Sequence, residues 1–177
     1  DVSNLAWKIS LCIKNKHNEK FLDTYQTERF SNAKEYIETT MRMGEFVNAI
    51  GSDKITDNIS SQPDGTRKMQ SIKPKLGFGL GSSMDKNRGK VFPQLKMKNG
   101  KTLDEKFSTS PLVLLSSKLK KQKSKNKIPI ITEKEVIGLS SLLKNYEANA
   151  VIVRPDRFIL KTCKTTKDFI QIEHLPL

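Results

Sequence analysis

The chain has 177 residues, of which 36% are hydrophobic and 29% are charged, a composition that excludes a collagen-like or wholly disordered protein. The 32 Lys and Arg residues exceed the 19 Asp and Glu residues by 13, and this excess bears on partners and solubility rather than on fold. Only two cysteines, Cys12 and Cys163, and two histidines, His17 and His174, are present, which excludes a disulfide framework, a Cys-rich zinc site and a multi-His metal site.

The charge is unevenly distributed along the chain. Residues 1–55 hold eight basic and eight acidic residues, so the whole positive excess lies in residues 56–177. The densest basic segment is 118–127, which contains six lysines and no acidic residue. This shift in composition predicts two structural units.

Two helices are predicted in the first unit. Asp1 and Ser3 can cap a first helix, whose apolar positions recur at helical spacing and comprise Leu5, Ile9, Cys12 and Ile13. A second helix is predicted from Glu19 or Lys20 toward Ile50, with Gly51 as its stop. Its predicted face carries Leu22, Tyr25, Arg29, Ala33, Ile37 and Met41. Two helices alone cannot bury such faces, so we expect a further element to cover them.

Residues 52–99 lack a regular hydrophobic period and are predicted as loops and extended segments. Gly77, Gly79 and Gly81 are spaced G-x-G-x-G, whereas a dinucleotide-binding turn requires G-x-G-x-x-G between a strand and a helix. We therefore predict a loop rather than a phosphate-binding turn.

The last third of the chain alternates between strand and helix patterns. The spacing predicts strands at residues 111–116, 128–132, 150–153 and 158–160, a helix over 133–146, and a turn at Pro155-Asp156. Such an order is typical of a small α/β domain of about a hundred residues.

Three sequence segments resemble the FAD-dependent aromatic hydroxylases of the para-hydroxybenzoate hydroxylase superfamily. They are DVSNLAWKIS at residues 1–10, FLDTYQTER at 21–29 and AVIVRPDRFI at 150–159. GKVFPQ at 89–94 also resembles the entry to the C-terminal domain of the larger members, which are similar to phenol hydroxylase. Phe30-Ser31 and Arg157 stand where relatives often have Arg-Pro and Gly.

The resemblance implies an organisation and an activity. Residues 1–55 would be the C-terminal helices of an FAD-binding domain, 56–88 a linker, and 89–177 a thioredoxin-like α/β domain without CxxC. The whole enzyme would use FAD and NAD(P)H to hydroxylate a phenolic substrate. This chain would be a C-terminal fragment, inactive by itself, that adjoins an upstream FAD-binding region.

The resemblance also implies roles for individual residues. The helix opened by Asp1 would direct its N-terminal dipole toward the flavin, and Asp1 and Asn4 would support the flavin-contacting turn; an ordinary helix cap is the alternative for both. No catalytic residue and no metal ligand is assigned. Trp7 is expected to pack inside, and Tyr25, Glu28 and Arg29 to form a buried polar cluster.

The remaining expectations concern partners and location. No apolar run reaches the roughly 18 residues of a membrane span, and no signal segment is recognised, so a soluble, cytoplasmic protein is expected, with a homodimer allowed. The alternative function is a non-enzymatic, basic nucleic-acid-binding module. No aromatic residues are interleaved with the lysines of 118–127, which argues against base stacking.

The basic segment distinguishes the two functions. We expect that replacing Lys120, Lys121, Lys123 and Lys125 with Ser leaves the domain folded, because clustered lysines repel one another and gain nothing by ordering. The measurements are thermal unfolding and RNA retention at several salt concentrations. Tight, salt-sensitive RNA binding by the parent that is lost in the quadruple variant would favour the nucleic-acid module.

Overall fold

The computed structural model describes residues 1–14, 17–49, 59–61, 67–69, 72–119, 128–165 and 168. The elements are helix α1 (Val2–Ile13), a 3-10 turn (Glu19–Leu22), helix α2 (Asp23–Ala49), strands β1 (Ile59–Ser61) and β2 (Arg67–Met69), helix α3 (Leu103–Phe107), strands β3 (Leu112–Leu115) and β4 (Ile130–Thr132), helix α4 (Leu139–Asn145), and strands β5 (Ala150–Val153) and β6 (Ile159–Cys163). The mixed α/β class predicted from the sequence is confirmed. Residues 120–127, Gly51 and His174 lie outside the described residues.

Both predicted N-terminal helices form, but they bury different faces from those predicted. The buried residues of α1 are Asn4, Trp7 and Lys8, and Glu28, Asn32 and Thr39 are buried on α2. Ile37 and Met41, on the predicted apolar face of α2, are 61% and 62% exposed. The side chains that the helices bury are therefore polar except for Trp7, and several of their apolar residues face outward.

Segment 72–81 lies along α2, as a loop rather than a phosphate-binding turn. The amide of Gly77 donates to the carbonyl of Glu28 over 2.8 Å, and the side-chain amide of Asn32 donates to the carbonyl of Pro74 over 2.8 Å. A Cβ atom on Gly77 or Gly79 would clash with α2. These two glycines are explained by this close approach.

The last third forms a four-stranded sheet in the order β4-β3-β5-β6. Strand β3 pairs parallel with β4 and antiparallel with β5, and β5 pairs antiparallel with β6. The predicted strands are confirmed, and β6 extends further, to Cys163. Residue 158 bridges Val91, so the predicted extended entry at 89–94 lies along the edge of the sheet.

Both faces of the sheet are covered. One apolar core contains Leu112 and Leu114 of β3 with Leu139 and Leu143 of α4, and the other contains Val113 and Leu115 with Leu160. Because successive side chains of a strand point to opposite faces, β3 and β5 are apolar at every position.

Four elements differ from the prediction. The hairpin of β1 and β2 pairs Ile59 with Met69 within a region predicted as loops. Helix α3 is opened by a capping box between Thr102 and Glu105, a short signal that hydrophobic periodicity does not detect. The predicted helix at 133–146 is shorter, because Gly138 adopts a left-handed conformation and α4 begins after it.

The packing of Gly79 against Glu28 can be tested directly. A Cβ at position 79 would lie 2.6 Å from Oε1 and 2.8 Å from Cδ of Glu28, and the hydrogen bonds of that carboxylate prevent it from moving aside. We expect Gly79→Ala to lower the free energy of unfolding by about 1–3 kcal/mol.

The matched control is Gly44 of α2, where a Cβ would have no described atom within 4 Å apart from the nearby backbone of its own helix. Gly44→Ala is expected to raise the free energy of unfolding by up to about 1 kcal/mol, because alanine favours the helix. Denaturant unfolding measures both variants, and equal effects at the two positions would contradict this account of residue 79.

Candidate functional site

A buried cluster of four charged side chains joins the N-terminal helices to the sheet. Lys8 comes from α1, Glu28 from α2, and Arg154 and Asp156 from the turn after β5. All four residues are at least 90% buried, and their formal charges sum to zero. Charge balance is the condition under which ionised groups can remain inside a protein.

Arg154 lies at the centre of this cluster and binds both carboxylates. Its two terminal nitrogens, Nη1 and Nη2, donate to Oε1 and Oε2 of Glu28, each over 2.8 Å. Its Nε and Nη2 donate to Oδ1 and Oδ2 of Asp156 over 3.1 and 2.7 Å. The planar guanidinium has a donor geometry that suits such paired contacts, which a lysine could not reproduce.

Helix α1 contributes three donors from one face. Lys8 donates to Glu28 Oε2 over 2.8 Å, Trp7 donates to Asp156 Oδ2 over 3.1 Å, and the Asn4 amide donates to both carboxylates over 3.2 and 2.8 Å. Positions 7 and 8 follow position 4 by three and four residues, which is about one helical turn, so the three side chains share a face. The guanidinium of Arg154 also lies 5.1 Å from the centre of the Trp7 ring.

The electrostatic environment keeps the Glu28 carboxylate ionised. Burial alone would raise its pKa, but hydrogen bonds and charges from Arg154 and Lys8 outweigh burial and lower the pKa to about 2. Burial lowers the pKa of Lys8, although the contacts with Glu28 oppose this effect. The pKa of Arg154 is raised: burial opposes the charge, but the adjacent Asp156 and Glu28 carboxylates outweigh it.

The two residues proposed to support a flavin-contacting turn lie in different environments. Asp1 is exposed and makes no capping hydrogen bond to α1; its carboxylate accepts from Nε of Arg29 over 2.6 Å. Asn4 is buried inside the charged cluster, and its Oδ1 has no hydrogen-bond partner among the described residues. Their role toward a cofactor stays a prediction.

The predicted cluster of Tyr25, Glu28 and Arg29 forms only in part. Glu28 is buried as expected, whereas Tyr25 is half-buried and Arg29 pairs with exposed Asp1. Trp7 is 8% exposed, as predicted, and meets Phe21 edge-on with ring centres 5.7 Å apart.

Sequence reasoning missed the partners of Glu28. In the sequence these partners, Lys8, Arg154 and Asp156, are visible only as parts of motifs. Their spacing does not place them together, since Glu28 and Arg154 are separated by 126 positions. The available signal was an Arg-Pro-Asp turn directly after a fully apolar strand, where a charged pair would be buried.

Two observations on the described part of the chain concern thiol and metal chemistry. Burial raises the pKa of Cys163 to about 12, so its reactive thiolate form is disfavoured. The described residues contain no group of three or more His, Cys, Asp or Glu side chains able to hold a metal ion. None of the helices in these ranges is long and apolar enough to cross a membrane.

The outer surfaces of α1 and α2 carry exposed apolar side chains. Val2 and Ile13 of α1 are 82% and 75% exposed, and Phe30 of α2 is 69% exposed. Contiguous apolar surface is typical of contacts with another protein segment, and the expectation that a further element covers these helices stays a prediction.

Comparisons with known proteins extend the interpretation. A probable NADH-specific resorcinol 4-hydroxylase from Rhodococcus jostii strain RHA1 is 27% identical over 184 residues, covering 90% of this chain and 34% of that protein. A 3-(3-hydroxy-phenyl)propionate/3-hydroxycinnamic acid hydroxylase from Escherichia coli is 46% identical over 44 residues, covering 25% of this chain and 8% of that protein. No family model matches the chain.

Among solved structures, the crystal structure of aklavinone-11 hydroxylase in a ternary complex with FAD and aklavinone has a similar fold. Its TM-score is 0.51 at 15% identity, and the match covers 97% of this chain and 37% of that one. The hydroxylase relatives and this fold together confirm the predicted resemblance to FAD-dependent aromatic hydroxylases. The chain spans about one third of the length of the Rhodococcus relative.

The charge balance of the cluster predicts non-additive substitutions. Lys8→Met leaves one uncompensated negative charge and Asp156→Asn one uncompensated positive charge, each costing about 3–5 kcal/mol of unfolding free energy. The double variant restores neutrality, so its loss is expected to be smaller than the sum by more than about 1 kcal/mol. Denaturant unfolding measures this double-mutant cycle.

The exposed pair of Lys34 and Glu38 on α2 provides the control, with both side chains more than half exposed. Neutralising that pair should change stability by no more than about 0.5 kcal/mol. Strictly additive losses for Lys8 and Asp156 would contradict a charge-balanced cluster.

The lowered pKa of Glu28 predicts acid sensitivity. The unfolded chain binds a proton at this group near its ordinary pKa of 4.5, and the folded protein only near 2. Stability from Glu28 is therefore complete above the ordinary pKa and is lost as the pH falls toward 2. We expect Glu28→Gln to lose less stability than the parent over this interval in denaturant unfolding, and parallel pH curves would contradict the prediction.

Proposed function

We propose that this chain is the C-terminal part of an FAD-dependent monooxygenase that uses NADH or NADPH to hydroxylate a phenolic aromatic compound in the cytoplasm. The observation that carries the proposal is the match across 90% of the chain to about one third of a resorcinol 4-hydroxylase. The exposed apolar faces of α1 and α2 support it, because the remainder of a longer protein would cover them.

The proposed organisation assigns a role to each unit. Residues 1–55 complete the FAD-binding domain, residues 56–88 form a linker, and residues 89–177 form a thioredoxin-like domain. A parallel strand pair continued by an antiparallel hairpin in one sheet supports this last assignment. Within the linker, residues 74–80 contact α2 through backbone and side-chain hydrogen bonds, so this part supports the helices as well as connecting the units.

The role proposed for α1 is electrostatic. FAD, when bound, supplies the oxygen-transferring chemistry, and the positive end of a helix dipole would stabilise negative charge on the flavin ring. The Asp1 side chain does not cap α1, which leaves the first-turn amides without a competing carboxylate. Asp1 and Asn4 would support the flavin-contacting turn. Asp1 would do so through its contact with Arg29, and Asn4 through the charged cluster.

We assign no catalytic acid, base or nucleophile to the described residues. Lys8, Glu28, Arg154 and Asp156 are buried and fully engaged with one another, so a substrate cannot reach their polar atoms. The chemistry would reside in the upstream region of the longer enzyme. The proposed function is tested by measuring whether phenolic compounds stimulate NAD(P)H oxidation by the longer enzyme. Mass spectrometry then identifies the hydroxylated product.

The separated chain is predicted to bind FAD weakly. It contains no G-x-G-x-x-G turn between a strand and a helix, and such a turn supplies the amides that hold the pyrophosphate. Chain incubated with FAD and passed through gel filtration is expected to emerge colourless. A yellow complex with one FAD per chain would show that the cofactor site lies in this chain and would refute the division proposed here.

A further inference from the structure

Helix α1 contacts the rest of the protein through hydrogen bonds from every side chain that it buries and through the edge-on packing of Trp7 against Phe21. Its three buried side chains are Asn4, Trp7 and Lys8, and each donates to Glu28, to Asp156 or to both. Its apolar residues Val2 and Ile13 are exposed. The orientation of α1 therefore depends on where these two carboxylates lie.

The turn after β5 carries one of these carboxylates and binds the other through Arg154. Asp156 lies in the turn that joins β5 to β6, and this turn is closed by the amide of Arg154 donating to the carbonyl of Phe158 over 2.9 Å. Arg154 directly follows β5 and aligns the Glu28 carboxylate with both terminal nitrogens. Two side chains from one hydrogen-bonded turn thus form, together with Glu28, the surface that α1 contacts.

We propose that Arg154 and Asp156 are positioning residues, through which the C-terminal sheet fixes α1 and thereby the helix end that faces the flavin. The first half of this inference concerns only the described structure, and the second half rests on the proposed function. Hydrogen bonds are directional, so such a contact sets the angle of a helix more narrowly than apolar packing does. An appended domain without a reactive thiol pair would then act by orienting an element of the flavin site.

Trp7 is the single tryptophan of the chain and reports on the position of α1 directly. In Asp156→Asn, we expect a red-shifted Trp7 emission and stronger quenching by acrylamide. Amide hydrogen exchange in α1 is expected to accelerate by at least about tenfold, because an unbalanced charge weakens the contact. Amides of β3 and β5 exchange through global unfolding, so they should accelerate only by the factor that the loss of overall stability requires, and the α1 amides by more.

Arg157→Lys is the matched control in the same turn. Arg157 binds Asp104 and the carbonyl oxygens of Ser108 and Ser110, and makes no described contact with α1. Its substitution should leave Trp7 emission and α1 exchange unchanged. A folded Asp156→Asn protein with parent-like emission, quenching and exchange would overturn the proposal.

If Asp156→Asn fails to fold, two milder variants provide the test. Asn4→Ala and Trp7→Phe remove neutral donors of α1 and leave every ion pair intact. Faster exchange in α1 with unchanged exchange in β5 supports positioning by Asp156. Parent-like exchange in α1 in both variants overturns it.

The link from α1 to the flavin is tested in the longer, FAD-loaded enzyme. Asp156→Asn is expected to shift the visible absorption and reduction potential of the bound flavin, whereas Arg157→Lys leaves both unchanged. If α1 responds but the flavin does not, the link from α1 to the flavin is wrong. If both respond and no phenolic compound is hydroxylated, the positioning role stands and the proposed function fails.

Discussion

The guanidinium of Arg154, bound to two buried carboxylates, is the interaction on which the arrangement of the units depends. It links α2 through Glu28 to the β5–β6 turn through Asp156, and the remaining acceptor sites of the carboxylates bind α1. Each charge in the cluster is costly to bury alone and is tolerated only because the others are present. The cluster therefore specifies one relative placement of helices and sheet, which loosely oriented apolar packing would leave less defined.

Apart from Trp7, the side chains that the two helices bury are polar, whereas several of their apolar side chains face outward. This pattern follows from the cluster, which needs Asn4, Lys8 and Glu28 on the inner side, and from the contact of Asn32 with the carbonyl of Pro74. The outer apolar residues then require a second contact surface. Under the proposed function, the remainder of a longer hydroxylase would provide that surface.

The glycine-containing segment 77–81 contributes to the same contact. Its chain passes so close to α2 that side chains at Gly77 and Gly79 would displace Glu28 or its neighbours. In return, the amide of Leu80 donates to Oε1 of Glu28 over 2.9 Å. A sequence feature similar to a nucleotide-binding loop is thus explained by backbone packing around a buried carboxylate.

The sequence by itself determined the two helices of the first unit, the strands of the sheet, and the resemblance to aromatic hydroxylases, because periodicity and short motifs are local properties. It did not reveal which helix faces are buried, why Gly77 and Gly79 are glycines, or that Lys8, Glu28, Arg154 and Asp156 meet. Only the tertiary structure decided these points. Burying a charge depends on partners more than a hundred residues away, and hydrophobic periodicity carries no information about such partners.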